Sequence, residues 1–256
     1  MSDTETAKHI EVPKVVTILG VREKYESRII SSGQKEQRGL KKEYKNKRPV
    51  NADIRSLAQQ LVIPHLVHFT KCDNLSSILR NGLHSINSCN TNGIQAIRND
   101  MMRLDGRPET ISLSIAFPNY RMFYRYRQLD VAADWAVLIL SPKIVWEKDC
   151  GFFKYNAADS RMRGKHREEV GDIDAFKAMF EVSDMQRQDW LRSYDPTDSQ
   201  AEVMVYETIE PELIEAVAFE TKLTAQKWSQ VLKGIESIHA GHSKGLFASR
   251  AQVRAN

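Results

Sequence analysis

Several groups of residues in this sequence have the types and spacing that chemistry needs. His68-Phe69-Thr70 ends a short apolar strand just before a helix signal. A strand repeats every two residues, so His68 and Thr70 share a face. There the imidazole can hold a ribose hydroxyl, and the threonine hydroxyl or backbone an amide. Otherwise His68 is a satisfied core histidine and Thr70 opens a turn. Glu202 lies in Gln200-Ala201-Glu202-Val203-Met204-Val205, on the same strand face as Met204 and Tyr206. Its carboxylate is either an edge gatekeeper or ion-pair partner at an exposed strand end, or partly buried for a purpose. Arg98, in Asn92-Gly93-Ile94-Gln95-Ala96-Ile97-Arg98, can clamp a pyrophosphate or carboxylate bidentately; the alternative is a surface ion pair.

Two further stretches are basic. Tyr120-Arg121-Met122-Phe123-Tyr124-Arg125-Tyr126-Arg127 interleaves aromatics with Arg121, Arg125 and Arg127. That mixture suits stacking on unpaired bases beside a phosphate-tracking charge, or an amphipathic core element with snorkelling arginines. Arg161, Arg163, Lys165 and Arg167 cluster in the segment before Glu202. They are either a second nucleic-acid contact or a solvated loop. The phosphate loop GxxxxGK[ST], a GxGxxG after a strand, HExxH and GxSxG are all missing. Their absence weakens P-loop ATPase, Rossmann, zincin and α/β-hydrolase readings.

Elements must place these residues. Leu66-Val67-His68-Phe69 is predicted as a strand after Pro64. Leu75, Ile78 and Leu79 follow helical spacing, with Asp73 or Asn74 as cap and Asn81-Gly82 as stop. Ile111 to Ile115 alternates, giving a strand with a polar face. Trp135 to Leu140 is apolar throughout and reads as a central strand covered on both sides. Ala201–Tyr206 and Ile214–Phe219 complete the strands of the body, and Val15–Leu19 is a short candidate before it. Helices are expected over 174–192 and from Thr224 to about Leu246. The mixture lacks a regular βαβ rhythm, so the fold class is α+β.

Composition narrows the class further. The chain has 256 residues, 41% of them hydrophobic and 27% charged, which suits a globular domain with appendages. The longest apolar run is six residues, Trp135 to Leu140, too short to span a membrane. The polar start, Met1-Ser2-Asp3-Thr4-Glu5, has no signal-peptide pattern. Cys72, Cys89 and Cys150 form neither a disulfide framework nor a CxxC site, so a cytoplasmic location is expected. Residues 22 to 48 carry a net +6 within a chain of net +4, a basic arm suited to a polyanion or to solubility.

Taken in chain order, HFT at 68–70, DNL at 73–75 with Ile78-Leu79, Ile94 to Arg98, Ile111 to Pro118, Trp135 to Pro142, Asn156-Ala157-Ala158 and QAEV at 200–203 resemble one family. This is the DarT family, the nucleic-acid ADP-ribosyltransferase toxins of bacterial toxin–antitoxin and phage-defence systems. The resemblance covers roughly residues 62–220. It implies an ADP-ribosyltransferase fold, two packed, split antiparallel β-sheets with flanking helices and an NAD cleft. The implied organisation is a basic extension over 1–60, the transferase domain over 61–220 and a C-terminal helical segment over 221–256.

The resemblance also implies roles. His68, Phe69, Thr70 and Ser77 would hold NAD, and Arg98 would hold NAD and act on the target base. Glu202 would be the catalytic glutamate, with a substrate-recognition loop before it. NAD is then the co-substrate and no metal is needed. The acceptor would be a base in single-stranded DNA, with RNA as the variant. A cognate antitoxin would be the protein partner, and a membrane is not. The chemistry suits these residue types, because a carboxylate can stabilise the oxocarbenium ion formed as nicotinamide leaves. Arg98 is better suited to electrostatic clamping than to accepting a proton, because a guanidinium hardly deprotonates. The second functional class that fits is a non-catalytic nucleic-acid-binding module.

Overall fold

The computed structural model describes residues 51–98, 105–182, 187–239 and 245–255. The candidate strand at 15–19 and the basic run at 22–48 lie outside them. The chain opens with α1 (Ala52–Gln60), β1 (Leu66–Lys71), α2 (Leu75–Asn81), α3 (Ile86–Thr91), β2 (Ile111–Ile115) and α4 (Tyr120–Leu129). Then come β3 (Trp135–Leu140), α5 (Ile144–Glu147), β4 (Cys150–Phe153), α6 (Ser160–Arg163), α7 (Arg167–Val170) and α8 (Ile173–Ala178). The chain closes with β5 (Glu202–Val205), β6 (Ile214–Phe219), α9 (Lys222–Leu232), β7 (Glu236–His239) and α10 (Arg250–Arg254).

The strands form a sheet of order β4-β5-β2-β1-β3-β6-β7. All pairs are antiparallel except β6–β7. The apolar strand β3 lies inside this order and is buried at every position. Its alternation is real but hidden, because both faces are covered. Ala136, Leu138 and Leu140 enter one core, and Trp135, Val137 and Ile139 enter the other. Ile54 and Ala58, one turn apart on α1, are buried in the first core.

The join between the halves of the sheet matters most for function. β1 pairs with β3 along six residues, Leu66 to Lys71. It pairs with β2 only at Leu66–Ile115 and Val67–Ser114. Beyond Val67 the two strands part, so β4-β5-β2 and β1-β3-β6-β7 meet at one end and are split at the other. The residues at the split are His68, Phe69 and Thr70.

Three local expectations change. Neither Asp73 nor Asn74 caps α2 through its side chain. A 3₁₀ turn over Cys72–Asn74 leads into the helix instead, and Asn74 makes no side-chain cap bond. Among the described residues of 174–192, the expected helix is only α8, capped by Asp172. Phe176 and Met179 still reach the core, which accounts for the helical spacing. The helix expected to run to Leu246 stops at Leu232, because Lys233 and Gly234 both have positive φ, 47° and 94°. That left-handed turn sends the chain back as β7, beside β6.

Candidate active site

Glu202 begins β5 and is only 4% exposed. Its surroundings follow from strand register. Met204 of β5 pairs with Ser112 of β2, and Phe153 of β4 pairs with Glu202. The Ser112 hydroxyl donates to Glu202 Oε1 at 3.0 Å, and the Ala157 backbone N–H donates to Oε2 at 2.7 Å. The carboxylate is therefore buried and oriented from two sides, on a strand that lies between β4 and β2. It is not an edge gatekeeper.

His68 sits across the split. Its Nδ1 lies 2.9 Å from the Ser112 carbonyl oxygen. A carbonyl only accepts, so Nδ1 carries the hydrogen and donates it. The imidazole thus bridges the strands where the backbone ladder has ended. Ser112 serves both residues, its carbonyl holding His68 and its hydroxyl holding Glu202. Phe69 stacks on Phe123 of α4, with centroids 4.7 Å apart, and so fixes α4 against β1.

Thr70 is 2% exposed, and its hydroxyl oxygen accepts from Asn74 Nδ2 at 3.0 Å. The same Asn74 amide pairs with the backbone of Ile97, donating to its carbonyl at 2.9 Å and accepting from its N–H at 2.8 Å. A side chain here does the work of a strand partner, and it places Arg98. The Arg98 guanidinium also donates to Asn90 Oδ1 at 2.7 Å.

These residues surround one cavity of about 670 Å³, a volume in the range of ligand pockets. His68, Phe69, Thr70, Ser77, Arg98 and Glu202 all line it. Arg121 and Arg125 reach it from α4. Phe123 and Arg127 of α4 point the other way and are buried. Arg127 ion-pairs with Glu220 at 2.7 Å and donates to the Phe247 carbonyl at 2.9 Å. Arg127 therefore lies on the core face of an amphipathic helix, with its guanidinium paired inside the fold; it neither snorkels to solvent nor offers a face to a nucleic acid.

The second basic stretch divides among α6, α7 and the turn between them. Arg161 forks onto Asp159 and stacks on Tyr155, its guanidinium carbon 3.5 Å from the ring centroid. The Arg161 side chain, and next its backbone N–H, hold the Asp159 carboxyl down at about 2. Arg163 donates to the Ala158 carbonyl, and Lys165 pairs with Glu169 at 2.7 Å. Arg161 and Lys165 line a separate depression of about 370 Å³ with Lys154 and Tyr155.

Some site residues escaped the sequence reading. Ser112 lay on a strand face recognised as polar, but its pairing with Glu202 depends on register across 90 residues of separation. Asn74 carried a misleading signal, since it sits where a helix cap is expected. The Ala157 contribution is a backbone N–H, which no residue type announces. Among the described residues no group of three or more His, Cys, Asp or Glu could hold a metal ion.

The family model for "ssDNA thymidine ADP-ribosyltransferase, DarT" matches residues 67–247. Among solved structures the chain is similar to Thermosipho africanus DarTG in complex with ADP-ribose, with TM-score 0.51 and 20% identity over 68% of this chain and 49% of that one. It therefore spans about half the length of that DarTG chain. It is also similar to Thermus sp. 2.9 DarT in complex with carba-NAD+, with TM-score 0.47 and 16% identity over 68% and 94% of the two chains. For Thermus sp. 2.9 DarT in complex with ADP-ribosylated ssDNA the values are 0.44 and 19% over 68% and 92%. No curated protein sequence matches. The family match takes in well over half of the chain, from the strand that carries His68 past the strand that begins with Glu202, and the chain belongs to the DarT family.

Proposed function

We propose that this protein is an NAD-dependent mono-ADP-ribosyltransferase that modifies a thymine base in single-stranded DNA and releases nicotinamide. One observation carries the reading: a buried, doubly oriented carboxylate at Glu202 faces the same cavity as His68, Thr70 and Arg98. In this reading His68 and Thr70 hold the nicotinamide riboside end of NAD, with Ser77 in the next helix. Arg98, beside Arg121 and Arg125, supplies positive charge for the pyrophosphate or the DNA backbone.

The bond between nicotinamide and the anomeric carbon breaks, and its electron pair leaves with nicotinamide. Positive charge develops on the ribose, and Glu202 stabilises it. Thymine N1 is already joined to deoxyribose, so N3 is the ring nitrogen left to attack. N3 bonds to the anomeric carbon and loses its proton to a base or to solvent. A duplex hides N3 in the base pair, which makes a single strand the natural substrate. A toxin of this kind acts where NAD and DNA coexist and calls for a neutralising antitoxin. Among the described residues no helix is long and apolar enough to cross a membrane.

The test is intact-mass analysis of single-stranded DNA and RNA oligonucleotides of each base, incubated with the protein and NAD. An ADP-ribose adduct on oligo-dT alone supports the reading. An adduct only on another base or on RNA moves the acceptor and keeps the reaction. No adduct on any of them, with DNA bound, leaves the non-catalytic binding module.

Two expected results follow from the geometry. Asn74→Ala removes the amide that holds both Thr70 and the backbone beside Arg98, so NAD affinity falls about tenfold, the cost of roughly one to two buried hydrogen bonds. Calorimetric titration with NAD checks this. Arg121→Ala combined with Arg125→Ala weakens oligo-dT binding and reduces the salt slope by about 1.4, at roughly 0.7 per phosphate contact on a single strand. Fluorescence anisotropy over a KCl series measures that slope, and an unchanged slope removes α4 from the DNA path.

A further inference from the structure

The residues that follow the family match, beyond position 247, hold the segment leading into Glu202. Asp195 is 0% exposed. Arg254 of α10 forks onto it, Nε to Oδ2 at 3.0 Å and Nη2 to Oδ1 at 3.1 Å. A buried carboxylate left without such a partner is costly, so this pair fixes where the 192–198 turn lies. Arg250, one turn earlier on α10 and 6% exposed, donates to the carbonyls of Pro196 at 2.8 Å and Thr197 at 3.3 Å. Asp198 then closes a tight turn, its carboxylate accepting from the Gln200 N–H at 2.7 Å and its carbonyl from Ala201 at 3.3 Å. Glu202 is the next residue.

Phe247, the last residue of the match, and Arg254 also grip the other wall of the cavity. The Phe247 carbonyl accepts from Arg127 of α4, whose outward neighbours are Arg121 and Arg125. The Arg254 guanidinium lies between the rings of Phe117 and Tyr194, 5.7 and 5.4 Å from their centroids. Phe117 belongs to the turn between β2 and α4, and Tyr194 to the turn that leads to Glu202. One short segment therefore ties both banks of the cleft.

The structure assigns Arg254, supported by Arg250, the role of a positioning residue that sets the Glu202 carboxylate through Asp195 and the turn at 195–201. Arg254 does not line the cavity and touches no reacting atom. This assignment rests on the transferase reading for its kinetic consequence and on geometry for its structural one, and its test separates the two.

The experiment compares wild type, Arg254→Gln and Arg254→Lys in the full chain, each below its own melting transition. It measures NAD affinity, single-turnover nicotinamide release with oligo-dT, and hydrogen exchange of the amides at 198–203. A positioning role predicts that Arg254→Gln loses about tenfold or more in turnover while NAD affinity stays within about threefold. Exchange at 198–203 rises by about tenfold or more in the same variant. Arg254→Lys falls between, because an ammonium keeps the charge and loses the fork. Folded Arg254→Gln with wild-type turnover and wild-type exchange overturns the assignment, as does a loss that only tracks the fraction folded. If wild type itself releases no nicotinamide with oligo-dT or with any other DNA or RNA oligonucleotide, the transferase reading fails. Exchange alone then decides whether Arg254 holds the Glu202 strand.

Discussion

Glu202→Gln lowers the rate of ADP-ribose transfer by about 10³-fold and leaves NAD affinity within about threefold, the pattern of a group that acts on charge developed in the transition state. The substitution is chosen for its fit. Glutamine keeps one acceptor oxygen, which can face the Ala157 N–H, now 2.7 Å from Oε2. Its amide can then face the Ser112 hydroxyl, now 3.0 Å from Oε1, and a hydroxyl both donates and accepts. These two hydrogen bonds survive the change and the negative charge is lost. Thermal melting should therefore move little while single-turnover kinetics collapse. A folded Glu202→Gln protein that transfers ADP-ribose within about tenfold of wild type rules out charge stabilisation by this residue. An equal loss in NAD affinity and in turnover points instead to uniform binding of the ribose.

The split in the sheet makes the site, and it was only partly legible in the sequence. Alternation placed Ser112 and Ser114 on one face of β2, and both line the cavity. The apolar run of β3 announced a strand covered on both sides, and it lies between β1 and β6. Where β1 leaves β2 is set by pairing across the chain, with the ladder ending after Val67–Ser114. Local pattern holds no record of that. The same limit explains the arginines of α4. Composition grouped Arg121, Arg125 and Arg127, but a helix separates positions four apart from those two apart. Arg127 shares its face with Phe123 and turns inward, while Arg121 and Arg125 reach the cavity. The Lys233-Gly234 turn was half announced: Gly234 is the kind of residue that ends a helix, as Gly82 does, whereas Lys233 gives no sign of a left-handed conformation.

Acid weakens this fold through His65, and the expected loss is about 3 kcal/mol between neutral pH and pH 4. His65 is 2% exposed, and its Nε2 donates to the Ala116 carbonyl at 3.2 Å. Ala116 returns the contact, its N–H donating to the His65 carbonyl at 3.1 Å. Its φ of 58° places it in the left-handed region, so the two bonds steady a strained turn at the end of β2. Burial pulls His65 down from 6.5 to about 4, with the Arg254 charge acting the same way, against the Ala116 hydrogen bond and Asp195. The folded value is depressed, so between pH 6.5 and 4 the unfolded chain binds a proton that the folded chain refuses. Stability is therefore full above pH 6.5 and falls as pH drops toward 4. Glu215 opposes this, because burial raises its carboxyl and folding then favours the protonated form. The clean measurement is consequently a difference. Denaturant unfolding of wild type and His65→Gln at several pH values should show an acid slope in wild type that is flattened in the variant. Parallel slopes would mean that His65 is protonated as easily inside the fold as outside it. A loss of this size is a large share of the stability of an ordinary domain. It also falls on the turn that carries Phe117 and leads to the Arg121 and Arg125 face of the cleft.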